Sequence, residues 1–195
     1  MKNKGTENIY SPEEDTFLLL RVIRKYATNK VLEIGTGSGL LALELEKKNR
    51  LVVGIDLDFN ALNELRVSAT KKQTGSQINI ICCDSASPFR DEVFDLVVFN
   101  PPYLPSEEIN DNTIDGGPSG VEISKVWFKD ASRILRKDGK IVFLSSSVSD
   151  VKGLFDYSRE LGFEVNVLES KQLFFEELLV VEAKPIQSNT INLNQ

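Results

Sequence analysis

The chain has 195 residues, 41% hydrophobic and 27% charged. That is enough apolar sequence for one ordinary core, and with no run near the roughly 20 apolar residues of a membrane span it is expected to be cytoplasmic. It holds no histidine, two adjacent cysteines and a net charge of −6, which excludes histidine triads, disulfide frameworks and spaced metal knuckles and argues against a long polynucleotide partner.

The first ten residues are polar and lack the apolar stretch of a secretory signal. Ser11 and Glu14 then have capping-box spacing, and Pro12 suits a first helical position. The pattern predicts a helix over about Glu13 to Tyr26, with Phe17, Leu18, Leu20, Val22 and Ile23 on its apolar side.

Val31 to Ile34 reads as a buried strand that runs into Gly35-Thr36-Gly37-Ser38-Gly39 and then into a helix over Leu40 to Lys48. Glycine at every second position lets a backbone turn tightly and approach a ligand without a Cβ in the way. A mere tight turn needs one glycine, not three. The dinucleotide fingerprint GxGxxG does not fit, because Leu40 stands where its third glycine belongs.

A second strand, Leu51 to Ile55, ends in Asp56, about 20 residues after the first glycine, where an acid can accept hydrogen bonds from ribose hydroxyls. A helix over Asn60 to Lys71 leads to a third strand, Ile78 to Cys82, followed by Asp84 and Ser85. A carboxylate at that strand end can accept from an adenine amino group, although strand-end aspartates are also common turn formers.

The fourth strand, Phe94 to Phe99, delivers Asn100-Pro101-Pro102-Tyr103. Two prolines make the segment stiff and remove two donors while leaving their carbonyls as acceptors. The Asn100 side-chain oxygen and a proline carbonyl can take the two N–H bonds of an –NH₂ group, with Tyr103 against its planar face. The following loop carries Glu107, Glu108, Asp111 and Asp115, either a solvated acidic loop or a surface that steers a basic substrate.

A helix over Ile123 to Arg136, a strand over Lys140 to Leu144 and a helix near Val151 to Leu161 continue the alternation. It predicts a mostly parallel sheet with helices on both faces. About four residues, Glu169 to Gln172, separate the last two strands, Phe163 to Leu168 and Leu173 to Val181. A parallel crossover needs a dozen or more, so this pair is an antiparallel hairpin. One domain is expected over 1–185, its first 27 residues closing over whatever cofactor those strand ends hold, with a polar tail expected to be disordered over 186–195.

Glu33 to Gly39, with Asp56, Asp84 and Asn100-Pro101-Pro102-Tyr103, resembles the class I S-adenosylmethionine-dependent amino-methyltransferases. Tyr10-Ser11-Pro12-Glu13-Glu14-Asp15-Thr16 together with Phe17 to Leu20 is similar to the opening of the archaeal and eukaryotic branch of the HemK-like release-factor glutamine methyltransferases. The resemblance implies a Rossmann-like α/β fold with a seven-stranded sheet. It implies cofactor contacts from Thr16, Glu33, Gly35, Gly37, Asp56, Asp84, Ser85 and Asn100, and catalysis by Asn100, Pro101, Pro102 and Tyr103, with no metal. The implied substrate is the glutamine of a Gly-Gly-Gln loop in a peptide-chain release factor, and the implied partner a small zinc-binding activator protein. Where many relatives carry tryptophan before a Gly-Gly pair, this chain has Ile114-Asp115-Gly116-Gly117. Adenine N6-methylation of nucleic acid, lysine methylation and a non-catalytic cofactor-binding module are the other readings.

Overall fold

The computed structural model describes residues 12–71 and 78–187. In chain order the elements are α1 (Glu14–Ile23), β1 (Lys30–Ile34), α2 (Leu40–Leu45), β2 (Leu51–Asp56), α3 (Phe59–Lys71), β3 (Ile78–Cys82) and β4 (Phe94–Phe99). There follow β5 (Leu104–Pro105), β6 (Asp115–Gly117), α4 (Glu122–Ile134), β7 (Leu135–Ser146), α5 (Val151–Glu160), β8 (Phe163–Gln172) and β9 (Glu177–Pro185).

Seven strands form one sheet in the order β3-β2-β1-β4-β7-β9-β8. The pairs from β3 to β7 are parallel, and β9 is antiparallel to both its neighbours. The central strands read as unbroken apolar runs because both their faces are covered. Along β4, Leu96 and Val98 join a core with Leu18, Leu41 and Leu65 from α1, α2 and α3. Val97 and Phe99 face the other way, onto Phe128 and Ile134 of α4 and Leu154 of α5. The expected seven-stranded, two-faced α/β fold is therefore present, and no helix of the described residues is long and apolar enough to cross a membrane.

Several boundaries differ from expectation. Helix α1 ends at Ile23 and has Glu13 as an N-cap without a side-chain cap bond, while Ser11 and the start of the opening signature lie outside the described residues. Because α1 packs against α2, β7, β8 and β9, Leu19 is buried as well, and Phe17 is left half exposed. Helix α2 stops at Leu45 rather than Lys48.

The final hairpin is present, but its turn is Leu173 to Glu176, not Glu169 to Gln172. Phe174 and Phe175, which read as strand, occupy that turn and are 91% and 88% exposed. The Leu173 N–H closes the turn onto the Glu176 carbonyl at 2.7 Å, and β8 reaches it through a register shift between Val167 and Glu169. Strand β9 runs on to Pro185, and residues 188–195 of the expected tail lie outside the described residues.

Candidate active site

The order of the sheet reverses between β1 and β4, and open α/β sheets take their ligands in the crevice beyond the strand ends at such a point. A cavity of about 650 Å³ lies there. Every residue nominated from the sequence lines it. Thr16 comes from α1; Glu33, Gly35 and Gly37 from the end of β1 and its loop; Asp56 from β2; Asp84 and Ser85 from beyond β3; Asn100, Pro101, Pro102 and Tyr103 from beyond β4.

Close packing shapes the glycine loop. A Cβ at Gly35 would stand 2.4 Å from the Trp127 indole of α4. Gly37 has φ of +48°, and nothing lies within 4 Å of where its Cβ would be, so bare backbone borders open space. The Gly37 N–H donates to Asp56 Oδ2, and the Asp58 N–H to Asp56 Oδ1, each at 2.9 Å. Asp56 thus ties the loop to β2, and each of its oxygens keeps a lone pair for a ligand.

Glu33 is buried, and its Oε2 accepts from the Thr36 hydroxyl at 2.7 Å. Burial, with the Asp56 charge adding to it and the Thr36 bond opposing, pushes its carboxyl up to about 8. It is neutral at pH 7, and a cationic ligand would draw its proton off.

Ser85 adopts φ of +49°, an uncommon conformation for a residue with a side chain. Its Oγ and the Asn100 Oδ1 are two of the three buried side-chain polar atoms that have no hydrogen-bond partner among the described residues; the third, Glu46 Oε2, lies elsewhere. Orphaned buried acceptors are rare and call for an explanation. Here both residues border a cavity, where a ligand with donors would complete them.

The Asn100 Nδ2 is satisfied, donating to Asp15 Oδ2 at 3.1 Å and Thr16 Oγ1 at 3.3 Å. Burial, and after it the Asp15 carboxylate, hold the Tyr103 phenol well above its ordinary value. Beyond Tyr103 the chain is clamped by a short ladder that sequence reading missed: Leu104 N–H to Ile114 O and Ser106 N–H to Gly117 O, both 2.9 Å. Gly116 lies so close beneath the motif that a Cβ there would be 2.8 Å from the Pro102 carbonyl oxygen.

Of the acidic loop, Asp111 and Asp115 hold the loop itself. Asp115 Oδ2 accepts from the Asn110 and Asp111 N–H groups at 2.8 and 2.9 Å, and Asp111 Oδ1 from the Thr113 hydroxyl at 2.6 Å. Glu107 and Glu108 are exposed.

Residues 8–172 match the family model described as the methyltransferase small domain. The chain belongs to that family. As a small-domain methyltransferase it is 32% identical, over 94% of its length and 95% of the relative's, to a Methanocaldococcus jannaschii protein named as a protein N5-glutamine methyltransferase. It is 27% identical to the release factor glutamine methyltransferase of Caulobacter vibrioides over 68% of this chain, spanning 52% of that relative's length. Among solved structures it matches, with a TM-score of 0.75 and 25% identity over 90% of this chain and 98% of the other, one from the E. cuniculi Mtq2–Trm112 complex, responsible for methylation of the eRF1 termination factor.

Among the lining residues of this methyltransferase that were not nominated from sequence are three with side chains suited to a ligand: Asp15, Trp127 and Glu176. Asp15 sits in the first turn of α1, where an acid serves the helix dipole. Trp127 has the spacing of a core residue on α4, and Glu176 arrives on the misread hairpin turn. Only Asp15, inside the opening signature, carried any signal.

Proposed function

We propose that this methyltransferase uses S-adenosylmethionine to methylate the side-chain amide nitrogen (N5) of the glutamine in the Gly-Gly-Gln loop of a peptide-chain release factor, as one cytoplasmic catalytic unit over 1–185. The observation that carries the reading is the Asn100 Oδ1, a buried acceptor without a partner beside a stiff Pro-Pro segment. The names of the relatives support the acceptor, and the Trm112 subunit of the Mtq2 complex supports a small activator partner.

The cavity suits the cofactor: bare backbone at Gly37, the orphaned Ser85 hydroxyl and a buried acid at Glu33 offer room, an unfilled polar group and a counter-charge. Glu33, Gly35, Gly37, Asp56, Asp84 and Ser85, with Thr16 and Asn100 at the rim, would hold it. When bound, it supplies an electrophilic methyl group on sulfur.

An amide nitrogen is a weak nucleophile because its lone pair is delocalised into the carbonyl. Asn100 Oδ1 and the Pro101 carbonyl accept its two N–H bonds, which raises electron density on nitrogen and fixes its direction. Pro102 keeps the acceptors stiff, and Tyr103 covers the planar face of the amide. Such positioning contributes up to ~7–11 kcal/mol in favourable cases. After attack the nitrogen is strongly acidic, so the proton leaves without a histidine base.

The test is transfer of labelled methyl to the cognate release factor, its Gln→Ala loop variant and duplex DNA, with and without a small zinc-binding partner protein. Label that appears on the release factor and vanishes in the variant supports the reading. Label on DNA instead overturns it in favour of adenine methylation. Asn100→Ala is expected to lower turnover at least 100-fold, and a loss of only a few-fold sinks the mechanism.

A further inference from the structure

We infer that Asp15 is a positioning residue that decides which way the Asn100 carboxamide faces, making Asn100 an acceptor toward the substrate nitrogen. The inference rests on the proposed reading in that Asn100 receives an N–H bond.

A carboxamide is nearly symmetric in shape, but one end only accepts and the other only donates. Turned one way, Asn100 draws the acceptor's N–H toward it. Turned the other way, it sets its own N–H groups against those of the substrate. Something must choose, and an orphaned buried oxygen shows the choice costs free energy.

Both groups bonded to Nδ2 accept. Asp15 Oδ2 stands 3.1 Å from Nδ2 and Thr16 Oγ1 stands 3.3 Å away. The Thr16 hydroxyl spends its own proton on Asp15 Oδ1 at 3.2 Å, so its lone pairs are what it offers Asn100. A flipped amide would bring Oδ1 against a carboxylate oxygen with no proton between them, in a place where Asp15 and Thr16 are both buried. Lone-pair repulsion at that distance in a desolvated site holds the amide in the observed sense.

The charge acts in a second way. A carboxylate bound to Nδ2–H pushes electron density through the amide toward Oδ1, and hydrogen bonds in a chain strengthen one another. Asp15 therefore both aims Asn100 and makes it a better acceptor. The plainer role for a first-turn acid, completing the helix dipole, is met by the exposed Glu14 and requires neither burial nor a bond to a residue 85 positions away.

Asp15→Asn tests this, because asparagine keeps the size but can donate as well as accept, and so pairs equally well with a flipped Asn100. We expect kcat on the release factor to fall roughly 30- to 100-fold while cofactor affinity, measured by calorimetry, stays within about threefold. In an Asn100→Ala background the same substitution should change kcat less than threefold, since only the contact of residue 15 with the Tyr103 phenol remains. A loss within threefold in the wild-type background, or a loss that persists without Asn100, overturns the inference.

A reading that needs no substrate runs beside it. The Asn100 side-chain amide signal in a ¹⁵N NMR spectrum, identified by its absence in Asn100→Ala, should be downfield and protected from exchange, and Asp15→Asn should remove that protection. An unchanged signal overturns the inference. If the signal responds but the wild-type protein leaves every release factor unlabelled, the choice of acceptor falls and the role of Asp15 stands.

Discussion

At the scale of single residues, Glu33 carries the clearest linked equilibrium. Its folded-state pKa of about 8 lies above the ordinary 4.5, so the folded chain holds a proton that the unfolded chain has lost between those values. The sign follows: this stabilisation is complete below about pH 4.5, declines above it and is gone once pH has risen through about 8. Glu33→Gln imitates the protonated acid and removes the decline. The melting temperature of the wild type should therefore fall relative to the variant between pH 4.5 and about 8, and parallel curves would remove Glu33 from the account. A cationic cofactor bound beside Glu33, as proposed, would reverse the balance, because a nearby positive charge favours the carboxylate. Binding near pH 7 should release a proton, detected as a heat that depends on the buffer's ionisation enthalpy, and Glu33→Gln should abolish that release.

At the scale of elements, the acceptor segment is rigid for reasons outside its own sequence. The prolines stiffen Asn100 to Tyr103, but β5 and β6 clamp its exit, and Gly116 packs beneath it with room for no side chain. A Cβ at Gly116 would meet the Gly120 carbonyl oxygen at 2.6 Å and the Pro102 carbonyl oxygen at 2.8 Å, and backbone atoms cannot turn aside as a flexible side chain can. Gly116→Ala should lower turnover at least tenfold by shifting the Pro-Pro segment, while cofactor affinity changes little. Equal losses in both would mean the substitution disturbs the whole cavity. Such supports mark where sequence reading stops. The mostly parallel sheet and the final hairpin were legible because period, strand length and connection length are local quantities, whereas the strand order was not. The cavity residues were legible because Asp56 ends a strand, Gly35 and Asn100 follow one directly and Asp84 follows one after a single intervening residue. The turn at Phe174-Phe175 was misread because two apolar aromatics carry strong strand propensity, and only the pairing of β8 with β9 shows them left out of the ladder. Asp15 and the β5–β6 clamp depend on contacts made between distant segments, which no spacing encodes.

For the whole molecule, the question is how an acidic chain would capture the protein substrate proposed for it. The chain carries a net charge of −6, which repels acidic partners at long range and draws basic ones. Within the loop beside the cavity the acids divide by task. Asp111 and Asp115 each commit one oxygen to the loop's own N–H and hydroxyl groups, and the Thr113 hydroxyl, with its N–H, holds the Asp111 carboxyl below its ordinary value. They keep the loop in shape. Glu107 and Glu108 are exposed and accept no side-chain bond that would hold them inward among the described residues, so they are the pair free to act at a distance. Steering of this kind changes encounter, not chemistry, and is screened over about 10 Å at 0.1 M salt. The double substitution Glu107→Lys and Glu108→Lys should thus lower kcat/KM for a basic release-factor substrate about three- to tenfold at low ionic strength, leave kcat unchanged, and lose its effect at 0.5 M salt. A drop in kcat instead would mean the loop touches the reacting group, and no change at any salt would leave Glu107 and Glu108 as a solvated face with capture depending on contacts at the cavity itself.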